Sequence, residues 1–421
     1  MKKNVAFFIA LRYLWGRARE GGRYLRGAVA GIAVSLVPII VTLIVADGMI
    51  RGITDRYLEL GTGHLQVFEL FKSIEDEDVI ETIKNFKGVR GVWHEMRSMG
   101  VIAGKGGKTG VTVRAIESSF WEDPGSAAFL KIIDGKGKPD TDRDIMLGRT
   151  LASNIGAGVG DTVRLMTIRT GERGAPSPRS ASFTVRGIIS CGYNEIDALW
   201  CIISGEGGKR VLSEDQSSSS LIVKIDEPYK NTEQFVWTLY ETLERDYSIF
   251  SWKTLLRSQY SSYESTRQLL LFIMALIVIV AAINVSSATS MLVLERQRDI
   301  AILKVSGGSV KGVTGIFLWG SFLTGLAGGI IGITLGLIIG ININGIIRTL
   351  EKSLTFFSFM FNGEEVKILD PGFYLETIPI IIDWGAVLVI GLFAIFCSIL
   401  ASWIPASRAG KLKPMELLRK T

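Results

Sequence analysis

Residues 268–308 read QLLLFIMALIVIVAAINVSSATSMLVL and then ERQRDIAILKVSGG. The first part runs 27 residues without Asp, Glu, Lys or Arg. A helix needs roughly 20 predominantly apolar residues to cross the hydrocarbon core of a bilayer, whereas a buried helix of a soluble protein is shorter and keeps polar contacts. The second part becomes charged at once and closes on a glycine pair, where a helix stops. A membrane span followed directly by a short charged helix sets the class of the whole protein, and the remaining chain can be read around it.

Three further stretches lack charge: residues 27–46, 312–347 and 384–407, of 20, 36 and 24 residues. Each is long enough to span. The expected fold class is therefore an α-helical membrane protein with four transmembrane helices, placed at residues 27–50, 267–294, 312–347 and 384–405. The basic region of residues 1–26 is long and no small-residue cleavage site follows the first apolar core, so an uncleaved anchor is expected rather than a signal peptide. The third stretch could hold two short helices, but a fifth crossing would carry the basic tail to the wrong side. One long, glycine-rich helix is expected.

The net charge is +6 over 421 residues. Segments 1–26, 295–311 and 408–421 carry +6, +2 and +4, so the rest of the chain sums to −6. An excess of lysine and arginine marks the cytoplasmic side. Both termini (residues 1–26 and 406–421) and the loop 295–311 are expected inside, with 51–266 and 348–383 outside. The basic excess reports topology, and no nucleic-acid partner is expected.

The outer segment 51–266 alternates short β-like and helical runs and is expected to be a mixed α/β domain inserted between the first and second spans. Strand patterns fall at residues 64–68, 110–115, 161–166, 182–189 and 221–225, and helical patterns at 76–85, 149–155 and 231–245. Residues 170–182, rich in Gly, Pro, Ser and Arg, are expected to be a projecting hairpin loop. Ile50, Ile53, Tyr57 and Leu60 recur at helical spacing after the first span, as do Trp252, Leu255, Leu256, Tyr260 and Tyr263 before the second. These segments either extend the spans as stalks or are ordinary helices of the domain.

Gly328, Gly332, Gly336 and Gly340 recur every four residues in the third span and predict a smooth packing ridge. Asn284, Ser286, Ser287, Thr289 and Ser290 of the second span are placed to bond across helices or to line a polar crevice. No charge interrupts the interior of any span, which argues against an ion pathway or proton relay.

Catalytic apparatus is not found. His64 and His94 are the only histidines, far apart, and no metal site is expected. Cys191 and Cys201 either pair in an oxidising compartment or stay free. The run Gly104-Lys-Gly-Gly-Lys-Thr109 has Ile102 where a phosphate loop requires glycine, so it is rejected. The chain is expected to be non-catalytic and to bind no cofactor itself.

Residues 295–308 resemble the E-R-x-x-E-I-x-x-L-R-x-x-G-A loop of ABC transporter permeases related to the cell-division permease FtsX, the macrolide exporter MacB and the lipoprotein-releasing permeases. Asp299 stands at the second acidic position, Lys304 at the arginine and Gly308 at the alanine. Residues 405–419, PASRAGKLKPMELLR, resemble that family's closing motif. Residues 147–163, LGRTLASNIGAGVGDTV, resemble its domain element G-x-x-L-A-x-x-L-x-x-x-x-G-D-x-V. The strand from Phe183 and the start at Leu11 are similar as well. Four motifs in order cover nearly the whole chain. The large outer domain and the lack of a fused ATPase favour the lipoprotein-releasing branch.

The resemblance implies a permease of the bacterial inner membrane whose ATP and magnesium sit in a separate cytoplasmic ATPase. That ATPase would dock on Glu295, Arg296, Arg298, Asp299, Leu303, Lys304, Gly307 and Gly308, with Ile300, Leu303 and Val305 as apolar contacts. A second permease copy or a related permease, a lipoprotein substrate and a periplasmic lipoprotein carrier complete the implied partners. A cavity between the first and second spans would hold the lipid, and Arg173, Pro176, Pro178 and Arg179 of the hairpin would meet the carrier. The alternatives are an efflux permease for amphiphiles or peptides and a signalling protein that regulates a cell-wall hydrolase.

Overall fold

The computed structural model describes residues 3–15, 21–71, 73–75, 77–170, 176–213, 217–230, 232–243, 246–361, 375 and 377–412. The chain divides into two compact units, one of Met1–Gly48, Tyr263–Val366 and Pro379–Thr421, the other of Met49–Ser262 with Lys367–Ile378. In chain order the helices are α1 (Lys3–Trp15), α2 (Gly21–Arg56), α3 (Glu77–Lys84), α4 (Pro124–Phe129), α5 (Arg149–Ile155), α6 (Asn194–Leu199) and α7 (Gly205–Val211). They continue as α8 (Thr232–Thr242), α9 (Trp252–Leu255), α10 (Arg257–Glu295), α11 (Gln297–Val305), α12 (Val310–Ile341), α13 (Ile343–Phe361) and α14 (Trp384–Lys411).

Among the described residues four helices, α2, α10, α12 and α14, are long and apolar enough to cross a membrane. Their shared core sets Ile32, Leu36, Ile40 and Ile44 of α2 against Met274, Val278 and Val285 of α10 and Val387, Ile390 and Ala394 of α14. The outward faces are apolar too: Phe272, Val280 and Ile283 of α10 and Leu388, Leu392 and Phe396 of α14 are exposed. An apolar belt of this extent belongs in lipid, where it costs nothing.

Polar groups inside the bundle are bonded. Thr289 Oγ1 lies 3.3 Å from Ser321 Oγ and 3.2 Å from Ser402 Oγ, joining α10, α12 and α14. Of the five polar residues singled out on α10, Ser287 and Ser290 donate to carbonyls of their own helix instead. At the end of the bundle nearer the inserted domain in chain order, Arg267 meets Asp47 at 3.0 Å and Asp383 at 2.9 Å. These charges sit at the helix ends and leave the interior apolar.

The structure corrects two expectations here. The charge-free stretch 312–347 is not one helix, because α12 stops at Ile341 and a new helix starts at Ile343. At the break, Asn342 Nδ2 donates 2.8 Å to Ile338 O, competing with the backbone for that carbonyl. Residues 348–361, expected in a loop, accordingly continue as α13. The void lined by Ile32, Ser35, Leu36, Val278 and Ala282 measures about 10 Å³, room for one water rather than a lipid. The first and second spans of a single chain therefore enclose no acyl pocket there.

The second unit is built on strands β1 (Leu65–Glu69), β2 (Val89–Ala103), β3 (Lys108–Ile116), β4 (Lys131–Gly135), β5 (Asp144–Gly148), β6 (Thr162–Thr170), β7 (Pro176–Ser190), β8 (Trp200–Ile203), β9 (Ser218–Ile225) and β10 (Tyr247–Ser251). They form one mixed sheet in the order β10-β1-β9-β2-β3-β8-β5-β7-β4, with β6 paired to β2 and β7. Ile145, Leu151, Phe183 and Cys201 centre one core; Leu65, Ile83, Leu221 and Leu239 centre the other. Cys191 and Cys201 are free and buried. The glycine run 104–107 is the tight turn of the β2–β3 hairpin, closed by Gly104 N to Gly107 O at 2.9 Å, with no helix after it to receive a phosphate.

Candidate functional site

The loop singled out by sequence forms helix α11. Arg296, with φ −96 and ψ 20, breaks it from α10 and donates 3.2 Å to Asp299 across the first turn. At the far end Gly308 N donates 2.8 Å to Leu303 O and Gly307 takes φ +89, a conformation open to glycine at little cost. A Cβ at residue 308 would stand 2.6 Å from Leu303 O, so this turn has no room for the alanine of the motif it resembles. Ser309 then caps α12, its Oγ accepting from Gly312 N at 3.1 Å.

Burial separates two faces of α11. Ile300 and Ala301 are buried, Ile300 beside Leu25, Leu292, Phe317 and Ala406. Arg298, Ile302 and Val305 are exposed at steps of four and three, a single stripe, and Glu295 is exposed at the end of α10 before the break. Ile302 is 55% and Val305 69% exposed. This revises the expected contact set. Val305 faces outward, and Ile302, missed in the sequence reading, stands beside it. Lys304 is half-buried and its ammonium donates 2.6 Å to Leu412 O, fastening the end of α14. Leu303 is half-buried as well.

The glycines of α12 lie along α2. A Cβ at Gly328 would meet Ile32 Cβ at 2.8 Å, at Gly332 Leu36 Cβ at 2.8 Å, at Gly336 Ile40 Cβ at 2.8 Å and at Gly340 Ile44 Cδ1 at 2.5 Å. The ridge is thus filled by four branched residues of α2, also spaced by four. Gly332→Ala is expected to cost about 1–3 kcal/mol by overpacking, read as a lower melting midpoint in detergent. Gly329→Ala is the control, since its Cβ meets nothing within 4 Å; equal effects of the two would argue against a packing ridge.

In the inserted unit, the end of α2 is wired into the sheet. After Arg56 the helix widens into a π-turn over Tyr57–Thr62. Arg114, fully buried on β3, pairs with buried Glu95 of β2 and donates to Leu60 O and, at 3.2 Å, to Gly61 O. Arg97 adds a bond to Gly61 O at 2.9 Å. Burial pulls the Arg114 guanidinium down to about 10, and Glu95 partly offsets this. Glu59 of the π-turn meets His64 at 3.2 Å, Arg90 at 3.1 Å and buried Lys224 at 3.2 Å. Lys224 also bonds Asp123 at 2.7 Å and Ser126 Oγ at 2.6 Å. Ser126 Oγ in turn donates 3.2 Å to Glu59 O. The carbonyls that a helix end leaves unsatisfied are here taken by arginines of the sheet. Sequence reasoning had no signal for this cluster, whose members are scattered over β2, β3, β9 and the loops.

His64 is held neutral: its Nδ1 accepts from Ile225 N at 2.8 Å, so Nε2 carries the proton toward Glu59. Burial pushes its pKa below the ordinary 6.5, only partly opposed by Glu59. A base with a depressed folded pKa stabilises the fold above its unfolded pKa and loses that contribution as pH falls. The melting midpoint of the protein in detergent is therefore expected to decline as pH drops below 6.5, and His64→Gln to flatten that slope. An unchanged slope in the variant would remove His64 from the account.

The hairpin residues are placed in part. Arg173 and the rest of residues 171–175 lie outside the described residues. The loop is shorter than expected, because β6 and β7 pair out to Thr170 and Pro176, with Pro178 opposite Ile168 and Arg179 opposite Thr167. Pro176 and Pro178 lack the N–H that a ladder bond needs, and both fall in the part of β7 beyond its pairing with β4 and β5. The closing motif is described as far as Leu412, with α14 running on through Pro405 to Lys411.

Residues 27–267 match the family model for the MacB-like periplasmic core domain, and residues 271–414 match that for the FtsX-like permease C-terminal. The chain is 27% identical over 424 residues to the lipoprotein-releasing system transmembrane protein LolC of Neisseria meningitidis serogroup B, covering 98% of each. It is 23% identical over 425 residues to the corresponding LolE of Haemophilus influenzae, covering 99% of each. An uncharacterized ABC transporter permease of Methanocaldococcus jannaschii is 22% identical over 406 residues, covering 93% of this chain and 92% of that one. With both models matched in order along it, the chain belongs to the FtsX-like permeases that carry a MacB-like periplasmic core domain.

Proposed function

We propose that this chain is the permease subunit of an ABC complex that releases lipoproteins from the inner membrane, driven by ATP hydrolysis in a separate ATPase. Its co-extension with LolC and LolE relatives over nearly all of both chains carries the reading. The exposed stripe of α11 supports it as the docking face for the ATPase, which holds the ATP and magnesium. The charge distribution favours cytoplasmic termini and a cytoplasmic α11, in a bacterial inner membrane.

In this reading the ATPase closes against α11 and moves α10 and α12, between which α11 lies in the chain. The inserted domain follows α2 and precedes α10 in the chain, so displacement of these two helices is the proposed input to it. Burying or extracting an acyl chain is worth about 0.8 kcal/mol per CH2. A multiply acylated protein therefore needs driven release. The lipid site is proposed to form together with a second copy or a related permease. The β6–β7 ribbon is the proposed contact for a periplasmic carrier.

The test uses the protein reconstituted with its ATPase in proteoliposomes. ATP-dependent release is expected for a triacylated peptide and absent for the same peptide without acyl chains. Equal handling of the two would sink the lipoprotein reading and favour efflux.

A further inference from the structure

Helix α13 has no counterpart in the expected span-and-loop arrangement, and its placement within the membrane unit can be worked out. α12 runs parallel to α2 with Gly340 against Ile44. Asp47, bonded to Arg267 and joined through it to Asp383, lies one turn further along α2. Charges at that level mark the boundary between hydrocarbon and water, because ionised groups are not left at membrane depth without need. α12 ends one residue after Gly340, so α13 begins at that boundary. α12 itself, 32 residues or about 48 Å long, already exceeds the roughly 30 Å core.

The sequence of α13 changes character there. Ile343, Ile346, Ile347, Leu350 and Leu354 fall in one stripe at steps of three and four, with Arg348 and Lys352 on the opposite side. Leu350 is 49% and Leu354 44% exposed. A helix that starts at the interface, with an apolar stripe on one side and basic residues opposite, has the pattern of a helix lying in the interface plane.

We propose that α13 is an interfacial helix that rests in the leaflet at the Asp47–Arg267 end of the helix bundle. Ile343–Leu354 contributes the stripe that enters the acyl region, and Arg348 and Lys352 face the headgroup phosphates. The surface it contacts is phospholipid, not a second protein.

Single cysteines at positions 348, 350, 352 and 354, in the full chain reconstituted into phosphatidylethanolamine–phosphatidylglycerol vesicles, would carry a nitroxide label. The native cysteines are buried, and unsubstituted protein supplies the labelling blank. Collision with oxygen relative to a water-soluble nickel chelate is expected to be severalfold higher at 350 and 354 than at 348 and 352. High nickel accessibility at all four positions would mean the helix stands in water. Low accessibility of 350 and 354 to both reagents would mean protein covers the stripe. Either result overturns the proposal.

Discussion

Exchanging Ile302 and Val305 for aspartate is expected to abolish co-purification with the partner ATPase and ATP-linked lipoprotein release, while leaving the chain folded. The reason is the division of labour on α11. Ile300 and Ala301 are buried against the bundle, and the apolar side chains left on the exposed stripe are Ile302 and Val305. The few residues that anchor the centre of an interface cost about 2 kcal/mol or more each when lost, and Ile302 and Val305 are expected to be such anchors here. Two together, replaced by charges that an apolar contact would have to desolvate, are expected to weaken binding by roughly three orders of magnitude or more. Arg298→Glu is expected to act in the same direction with a smaller effect. Lys304→Met is the informative contrast. Its ammonium holds Leu412 O, so its loss should loosen the end of α14 rather than abolish docking. If the Ile302/Val305 double variant still assembles with the ATPase and releases lipoprotein, α11 is not the docking face.

The second large effect concerns Lys224. Its ammonium is fully buried between Glu59 and Asp123, with the Phe120 ring centroid 4.6 Å away. Burial lowers its pKa, and the two carboxylates partly oppose this. Lys224→Met would leave Asp123 and Glu59 close together without the cation between them. Breaking a buried pair from one side costs about 3–5 kcal/mol. The expected result is a large fall in the denaturation midpoint of the protein in detergent, followed by tryptophan fluorescence, with Trp93 and Trp121 beside the cluster as reporters. Adding Asp123→Asn should recover part of the loss, since it removes one uncompensated charge. A single variant as stable as the parent would show that the network does not secure the end of α2.

The two predictions rest on features of very different legibility. The spans could be read directly, because a bilayer demands long runs without charge and nothing else in a chain produces them. Helix α5 and strands β3 and β9 also followed from local periodicity. Strand β2, the longest partner in the centre of the sheet, escaped. Its inward face includes Glu95, buried on Arg114, so the alternation of apolar and polar residues that marks a strand is broken by the residues that make the joint. β5 and β8 are short and buried, and runs of that length carry no period. For α11 the motif located the helix, but which side faces out depends on packing against α12 and α14. Ile302 and Val305 were indistinguishable from Ile300 on spacing alone. The break at Asn342 coincides with its side-chain amide sharing the Ile338 carbonyl with its own backbone N–H, an arrangement that composition does not reveal.

The matched spacing of α2 and α12 has a mechanical consequence. Glycines at 328, 332, 336 and 340 face Ile32, Leu36, Ile40 and Ile44, and both series repeat every four residues in the same direction. Sliding one helix along the other by four residues, about 6 Å, would bring Gly332 opposite Ile32, Gly336 opposite Leu36 and Gly340 opposite Ile40. Three of the four seats would be filled again. Partial displacements would instead press branched side chains against residues that carry a Cβ. The contact therefore resists continuous creep along the helix axis, and the Thr289 bonds to Ser321 and Ser402 hold α12 in the register seen here.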